Sequence, residues 1–181
     1  RLKHGCMTAQ PSASGKAGVV GLGLIGGSLA LDLQDLGWTV QGLVHRQTTA
    51  ARALQRGLAH AVSTDPACLS SCDLVILALP IPLLLNPDPA LVAALPAEAV
   101  ITDVGSVKQP VLEVWRHRHP RFVASHPMAG TAAAGVDAGQ RGLFMQRPWI
   151  ATPDATTDPQ ALSLVHSLAT SLGSHWVTAA A

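Results

Sequence analysis

Three observations predict an α/β chain with a doubly wound, mostly parallel sheet. Short apolar runs alternate with helical patterns along almost the whole sequence, the arrangement that right-handed β-α-β crossovers produce. Asp73–Leu79 is apolar throughout after its aspartate and is stopped by Pro80, as expected of a strand buried on both faces. Ala17–Val20 runs into Gly21-Leu22-Gly23-Leu24-Ile25-Gly26, and a helical pattern (Leu29, Leu31, Leu33, Leu36) follows at once, ended by Gly37.

A G-x-G-x-x-G in that setting has a mechanical reading. Gly21 permits the tight strand-to-helix turn, Gly23 lets the backbone approach a pyrophosphate, and Gly26 lets helix and strand pack closely. The amides and positive dipole end of the new helix, at Leu24 and Ile25, then face the phosphates. With 16 glycines in 181 residues a chance match is easy. Strand before and helix after raise this one above chance and predict a Rossmann dinucleotide-binding domain.

The remaining elements follow in order. Trp38–Val44 reads as the second strand and Thr48–Arg56 as a helix ended by Gly57. His60–Ser63 is a brief third strand, and Asp65-Pro66 caps a helix of one or two turns. After the Asp73–Leu79 strand, Pro82–Leu95 is helical, with Pro87 and Pro89 blurring its start. Ala99–Asp103 is a strand and Val107–His117 a helix. Arg121–Ser125 is the sixth strand, followed by a long loop through Gly130 and Gly142. Trp149–Thr152, a helix over Pro159–Ser171 and a strand over His175–Thr178 complete the pattern.

Composition narrows the function classes. One domain with a sizeable core is expected at this length, spanning 17–181, with residues 1–16 a polar, disordered leader in which Met7 offers an internal start. The sequence is 48% hydrophobic but holds only two Phe, four Trp and no Tyr, so Ala, Leu and Val build most of the core. A net charge of +1 supplies no electrostatic case for nucleic acid or an anionic membrane, and no apolar run is long enough to span a bilayer. Cys6, Cys68 and Cys72 are odd in number and lack metal-ligand spacing, which fits reduced thiols in a cytoplasm and no metal.

The nucleotide is read at the end of the second strand. NAD-binding folds place an acidic residue about 20 positions beyond the glycines, where it bonds the ribose 2′-hydroxyl. Here that position is His45, and Arg46 follows. A carboxylate repels a 2′-phosphate, whereas a guanidinium grips one through charge-assisted hydrogen bonds of roughly 1.5–3 kcal/mol. With Thr49 close by, the expected cofactor is NADP. The bland alternative makes Arg46 a solvated loop charge.

Two stretches fall where a nicotinamide ring would lie, beyond the carboxyl ends of later strands. One is Thr102-Asp103-Val104-Gly105-Ser106-Val107-Lys108. The other is Ser125-His126-Pro127-Met128-Ala129-Gly130-Thr131. A histidine at a strand end is a candidate acid/base, because the ordinary imidazole titrates near neutrality. Ser106 is a candidate partner for a substrate hydroxyl, and equally a candidate N-cap for the helix behind it. His117 and His119, with Arg116 and Arg118, read as a solvated basic helix end.

In this order and spacing, GLGLIGGSLA, T-D-V-G-S-V-K and S-H-P-M-A-G-T-A resemble the prephenate/arogenate dehydrogenase family. V-H-R after the second strand and H-P-M-A-G-T-A-A are similar to its cyanobacterial-type, NADP-dependent arogenate dehydrogenases. The resemblance runs from Gly18 to about Thr178. It implies oxidative decarboxylation of a cyclohexadienol in tyrosine synthesis, with arogenate or prephenate as substrate. His126 would then accept the proton or hydrogen bond of the ring 4-hydroxyl, and Ser106 would hold the same hydroxyl and orient His126. Gly130 and Thr131 would border the substrate; Leu79-Pro80-Ile81, Asp103 and Gly105 would border the cofactor. Lys108 would steer a dicarboxylate or face water. Family members continue into a helical domain that dimerises and completes the substrate pocket. The resemblance therefore implies a homodimeric parent and a fragment that binds NADP but turns over poorly. Two other readings stand beside it: a different NADP-dependent dehydrogenase of the β-hydroxyacid or pyrroline-carboxylate reductase kind, and a non-catalytic NADP-binding module. H-P-M-A-G-T after the sixth strand argues against the first, and His126 with Ser106 intact argues against the second.

Overall fold

The computed structural model describes residues 15–181, so the expected leader lies outside the described residues apart from its last two positions. Six parallel strands form the main sheet: β1 (Lys16–Val20), β2 (Thr39–Leu43), β3 (Ala61–Ser63), β4 (Leu74–Leu77), β5 (Val100–Asp103) and β6 (Phe122–Val123). Their order is β3-β2-β1-β4-β5-β6. The chain starts in the middle, winds outward through β2 and β3, then returns beside β1 and winds the other way. The doubly wound sheet is therefore present, with its topological switch between β1 and β4, where such folds open a ligand crevice.

Burial follows the two faces. In β4, Leu74 and Ile76 join the core under α1 (Leu24–Asp35), α2 (Gln47–Gln55) and α6 (Pro159–Ser171). Val75 and Leu77 join the opposite core, under α3 (Ile81–Leu85), α4 (Pro89–Ala94) and α5 (Gln109–Trp115). A strand covered on both sides has no polar face to show, hence its unbroken apolar run. The few aromatics fill the largest gaps: Trp115 donates from Nε1 to the Leu84 carbonyl at 2.9 Å and stacks on Phe122.

Five expectations need correction. The last strands do not continue the main sheet. β7 (Ser125–Pro127), β8 (Pro148–Ala151) and β9 (His175–Thr178) form a separate sheet, antiparallel between β7 and β8 and parallel between β8 and β9. The sixth strand expected over Arg121–Ser125 breaks because the Ser125 amide donates to the Asp103 side chain, at 3.1 Å, and the chain leaves the ladder. The helix over Pro82–Leu95 is two short helices, since Asn86 precedes Pro87 and is pushed out of the helical region; Asp88 then caps α4 by accepting from Ala90 N at 2.9 Å. Ser106 is no N-cap: Lys108 occupies that position and makes no side-chain cap bond.

His119 is the fifth correction. Only 5% exposed, it accepts from Arg121 N at Nδ1 (3.1 Å), so Nε2–H donates to the Pro96 carbonyl (2.8 Å). Burial holds its pKa below the ordinary 6.5. Between those two values the unfolded chain takes the proton and the native one does not, so stability falls as pH drops through the window. Melting temperatures at about pH 7.5 and about pH 5.5 should therefore diverge in the wild type more than in His119→Gln. Equal losses in both would assign the acid sensitivity elsewhere. Among the described residues no helix is long and apolar enough to cross a membrane.

Candidate active site

At the carboxyl ends of β1 and β4 lies a cleft of about 710 Å³ whose floor is Val20–Gly23. Gly21 sits at φ +89°, and a Cβ there would lie 2.4 Å from the Ala78 carbonyl oxygen. A Cβ on Gly26 would lie 1.8 Å from the Gly21 carbonyl oxygen. Gly23 differs: no atom lies within 4 Å of its missing Cβ. Two of these glycines are thus demanded by packing within the protein, while the third opens onto free space in the cleft. Gly23 caps α1 without a side-chain bond, leaving the first-turn amides, those of Leu24, Ile25 and Gly26, without intrahelical acceptors. The side chains of Leu24 and Ile25 pack on the core.

The far end of the cleft is bordered by His45, Arg46 and Thr49. Arg46, in extended conformation at the start of α2, is exposed and makes no side-chain bond among the described residues. No carboxylate lies between His45 and Thr49. Several further residues that the sequence pattern does not single out border the cleft. Thr64, just beyond β3, borders the cleft and accepts from Gln47 Nε2 at 2.9 Å. Gly135 and Val136 close the cleft from the loop after β7, and Arg56 holds that loop through the carbonyls of Val136 (2.8 Å) and Gly139 (2.9 Å). Their positions depend on contacts 80 and 83 residues apart along the chain, and no local motif announces them.

His126 lies in β7, paired with Ile150, its ring part-buried. Its Nδ1 stands 2.9 Å from the Val104 carbonyl oxygen. A carbonyl can only accept, so in the neutral ring Nδ1 carries the proton and Nε2 keeps the lone pair. Val104, immediately after β5, thus performs the orienting role expected of Ser106. Ser106 is exposed and makes no side-chain hydrogen bond among the described residues.

Asp103 and Lys108 are placed differently from the expectation. Asp103 is 0% exposed. Its Oδ1 accepts from Ser125 N, and its Oδ2 accepts from Gly105 N (3.0 Å) and from Lys108 Nζ. Lys108 Nζ also donates to the Ser125 carbonyl at 2.7 Å, and its side chain is 9% exposed. It therefore neither faces water nor stands free to steer a substrate. Burial pushes the Asp103 carboxyl above and the Lys108 ammonium below their ordinary values, while each charge pulls the other back. Leu79 borders the cleft. A Cβ on Gly105 would lie 2.9 Å from the Ile81 side chain, so that loop packs directly on the Pro80-Ile81 turn. Gly130 and Thr131 lie exposed beyond β7, Thr131 Oγ1 accepting from Ala133 N at 3.1 Å.

Residues 29–178 match the family described as prephenate dehydrogenase, nucleotide-binding domain. The match begins inside α1, so the glycine loop stands outside it. A cyclohexadienyl dehydrogenase of Zymomonas mobilis is 35% identical over 154 residues, which is 81% of this chain and 52% of that protein. The crystal structure of Synechocystis arogenate dehydrogenase superposes with a TM-score of 0.80 at 36% identity, covering 91% of this chain and 59% of that one. Prephenate dehydrogenase from A. aeolicus, solved with hydroxyphenyl propionate and NAD+, gives a TM-score of 0.85 at 28% identity, with the same coverage of 91% and 59%. This chain spans about half the length of the curated relatives it matches. By its sequence match and its fold, the chain belongs to the prephenate dehydrogenase family, as the nucleotide-binding domain.

Proposed function

We propose that this chain is the dinucleotide-binding and proton-accepting part of an NADP-dependent prephenate or arogenate dehydrogenase of tyrosine synthesis. The observation that carries the reading is the His126–Val104 hydrogen bond, which leaves Nε2 as a proton acceptor on the segment that follows the cleft-side strands. The A. aeolicus relative, solved with both a nicotinamide dinucleotide and a hydroxyphenyl acid, supports the pairing of cofactor and ring substrate.

The residues present fit a dinucleotide. The free space over Gly23 suits a pyrophosphate against the α1 amides. His45, Arg46 and Thr49 would hold the adenosine ribose and its 2′-phosphate, and Leu79, Ile81 and Gly105 would border the nicotinamide side. When bound, the cofactor supplies a hydride acceptor for C4 of the cyclohexadienol. His126 Nε2 takes the proton of the 4-hydroxyl as that carbon–oxygen bond becomes a carbonyl. Ser106 Oγ, exposed and without a side-chain hydrogen bond among the described residues, donates to or accepts from the same oxygen. Loss of the ring carboxylate as CO₂ then restores aromaticity and makes the step irreversible.

Calorimetric titration with NADP and with NAD tests the cofactor assignment. Arg46→Ala should weaken NADP about 10- to 150-fold, the equivalent of roughly 1.5–3 kcal/mol, and leave NAD within about twofold. Equal losses for both would remove the 2′-phosphate role of Arg46.

A further inference from the structure

The Asp103–Lys108 pair does not line the cleft and is almost wholly withdrawn from solvent, yet every bond it makes ends on the backbone that carries the two substrate-facing side chains. Toward one of them, Asp103 Oδ2 accepts from Gly105 N, one residue before Ser106. Toward the other, Asp103 Oδ1 accepts from Ser125 N and Lys108 Nζ donates to Ser125 O, one residue before His126. The Ser125 hydroxyl adds a bond to the Asp103 carbonyl (3.1 Å) and shares a proton contact with Thr102 Oγ1 (2.7 Å). The carbonyl that orients His126 belongs to Val104, the residue between Asp103 and Gly105. A buried ion pair of this kind does little for stability relative to well-packed apolar side chains, so stability alone does not account for it. These bonds are also what joins β7, a strand of the second sheet, to the end of β5 in the first.

We propose that Asp103 and Lys108 are positioning residues: together they lock the Ser125 backbone to the end of β5, and so fix the His126 imidazole against Val104. This rests on reading His126 Nε2 as the proton acceptor. It also assigns specific work to two residues whose sequence context suggested direct cofactor or substrate contact.

The test is the tautomer of His126 in this chain, read by nitrogen-15 NMR of the imidazoles, with the His126 signals identified by their loss in His126→Asn. In the wild type His126 shows a single tautomer protonated at Nδ1. Lys108→Met removes the bond to Ser125 O and leaves Asp103 unpaired. The uncharged double variant Asp103→Asn/Lys108→Met guards against a folding failure caused by that lone buried charge. In either variant the His126 signals should move to averaged positions, reporting loss of the fixed Nδ1–H. His119 is the internal control. Its opposite tautomer, protonated at Nε2, is held by Pro96 and Arg121 and should stay unchanged, which general loosening of the fold would not allow. NADP affinity should remain within about twofold, because the pair does not reach the cleft. An unchanged His126 tautomer in a folded variant overturns the proposal. So does a tenfold loss of NADP affinity with the tautomer intact, and so does failure of both variants to fold, which would make the pair a requirement of the fold itself. A wild-type His126 protonated at Nε2 would instead refute the proton-acceptor reading beneath it.

Discussion

Replacing His126 by asparagine should lower NADPH formation from arogenate or prephenate by about 10²–10⁴-fold, the usual contribution of a positioned general base. Asparagine is the informative choice. Its amide can still donate to the Val104 carbonyl, as Nδ1 does now, so the local hydrogen bond survives while the capacity to take a proton is lost. NADP affinity should change by less than about twofold, because the substitution lies outside the phosphate-binding floor. The measurement is steady-state turnover in the longest natural form of the chain, paired with a cofactor titration of the same preparation. A variant keeping a tenth or more of the wild-type rate would mean that another group removes the proton. An equal fall in rate and cofactor affinity would instead point to collapse of the site.

The second large effect separates two glycines of one motif. Gly23→Ala and Gly26→Ala should both lose dinucleotide binding, by about 100-fold or more, for different reasons. A methyl group on Gly23 meets nothing within 4 Å, and its backbone (φ −75°, ψ −155°) suits an ordinary residue. The variant should therefore melt within about 2 °C of the wild type, since it introduces no clash inside the protein. A methyl on Gly26 falls 1.8 Å from the Gly21 carbonyl oxygen and 2.9 Å from the Ala78 side chain. The α1 turn must shift to admit it, at a cost of roughly 1–3 kcal/mol or more, and the melting temperature should drop by about 2–12 °C. Thermal melts and titrations of the two variants decide the matter. If Gly23→Ala binds NADP normally, the space above it is not where the pyrophosphate lies, and the glycine loop has another use.

Sequence-level reasoning reaches furthest where the determining physics is local. The turn from Gly21 to Gly26 is readable because each steric requirement acts within six consecutive residues or on the adjacent strand. The buried strand over Asp73–Leu79 is readable because double-sided burial leaves no polar alternation. Arg46 is found by counting along one strand, and the cleft does include it. The same logic fails for Pro82–Leu95 only where two prolines compete with an otherwise helical apolar pattern.

By itself, then, the sequence determined the doubly wound parallel sheet, the glycine turn at its centre and the family to which the chain belongs. Each is set by chemistry between near neighbours or by a pattern repeated along the chain. The tertiary structure alone decided the rest: β7 belongs to a second sheet, Val104 rather than Ser106 orients His126, Lys108 turns inward to Asp103, and His119 is buried. These outcomes depend on hydrogen bonds between residues as far apart as Asp103 and Ser125 or Val104 and His126, which are 22 positions apart in each case. The polar groups concerned have several possible partners along the chain. Which one they take is settled only when packing the two sheets removes water and leaves these buried groups to bond to one another.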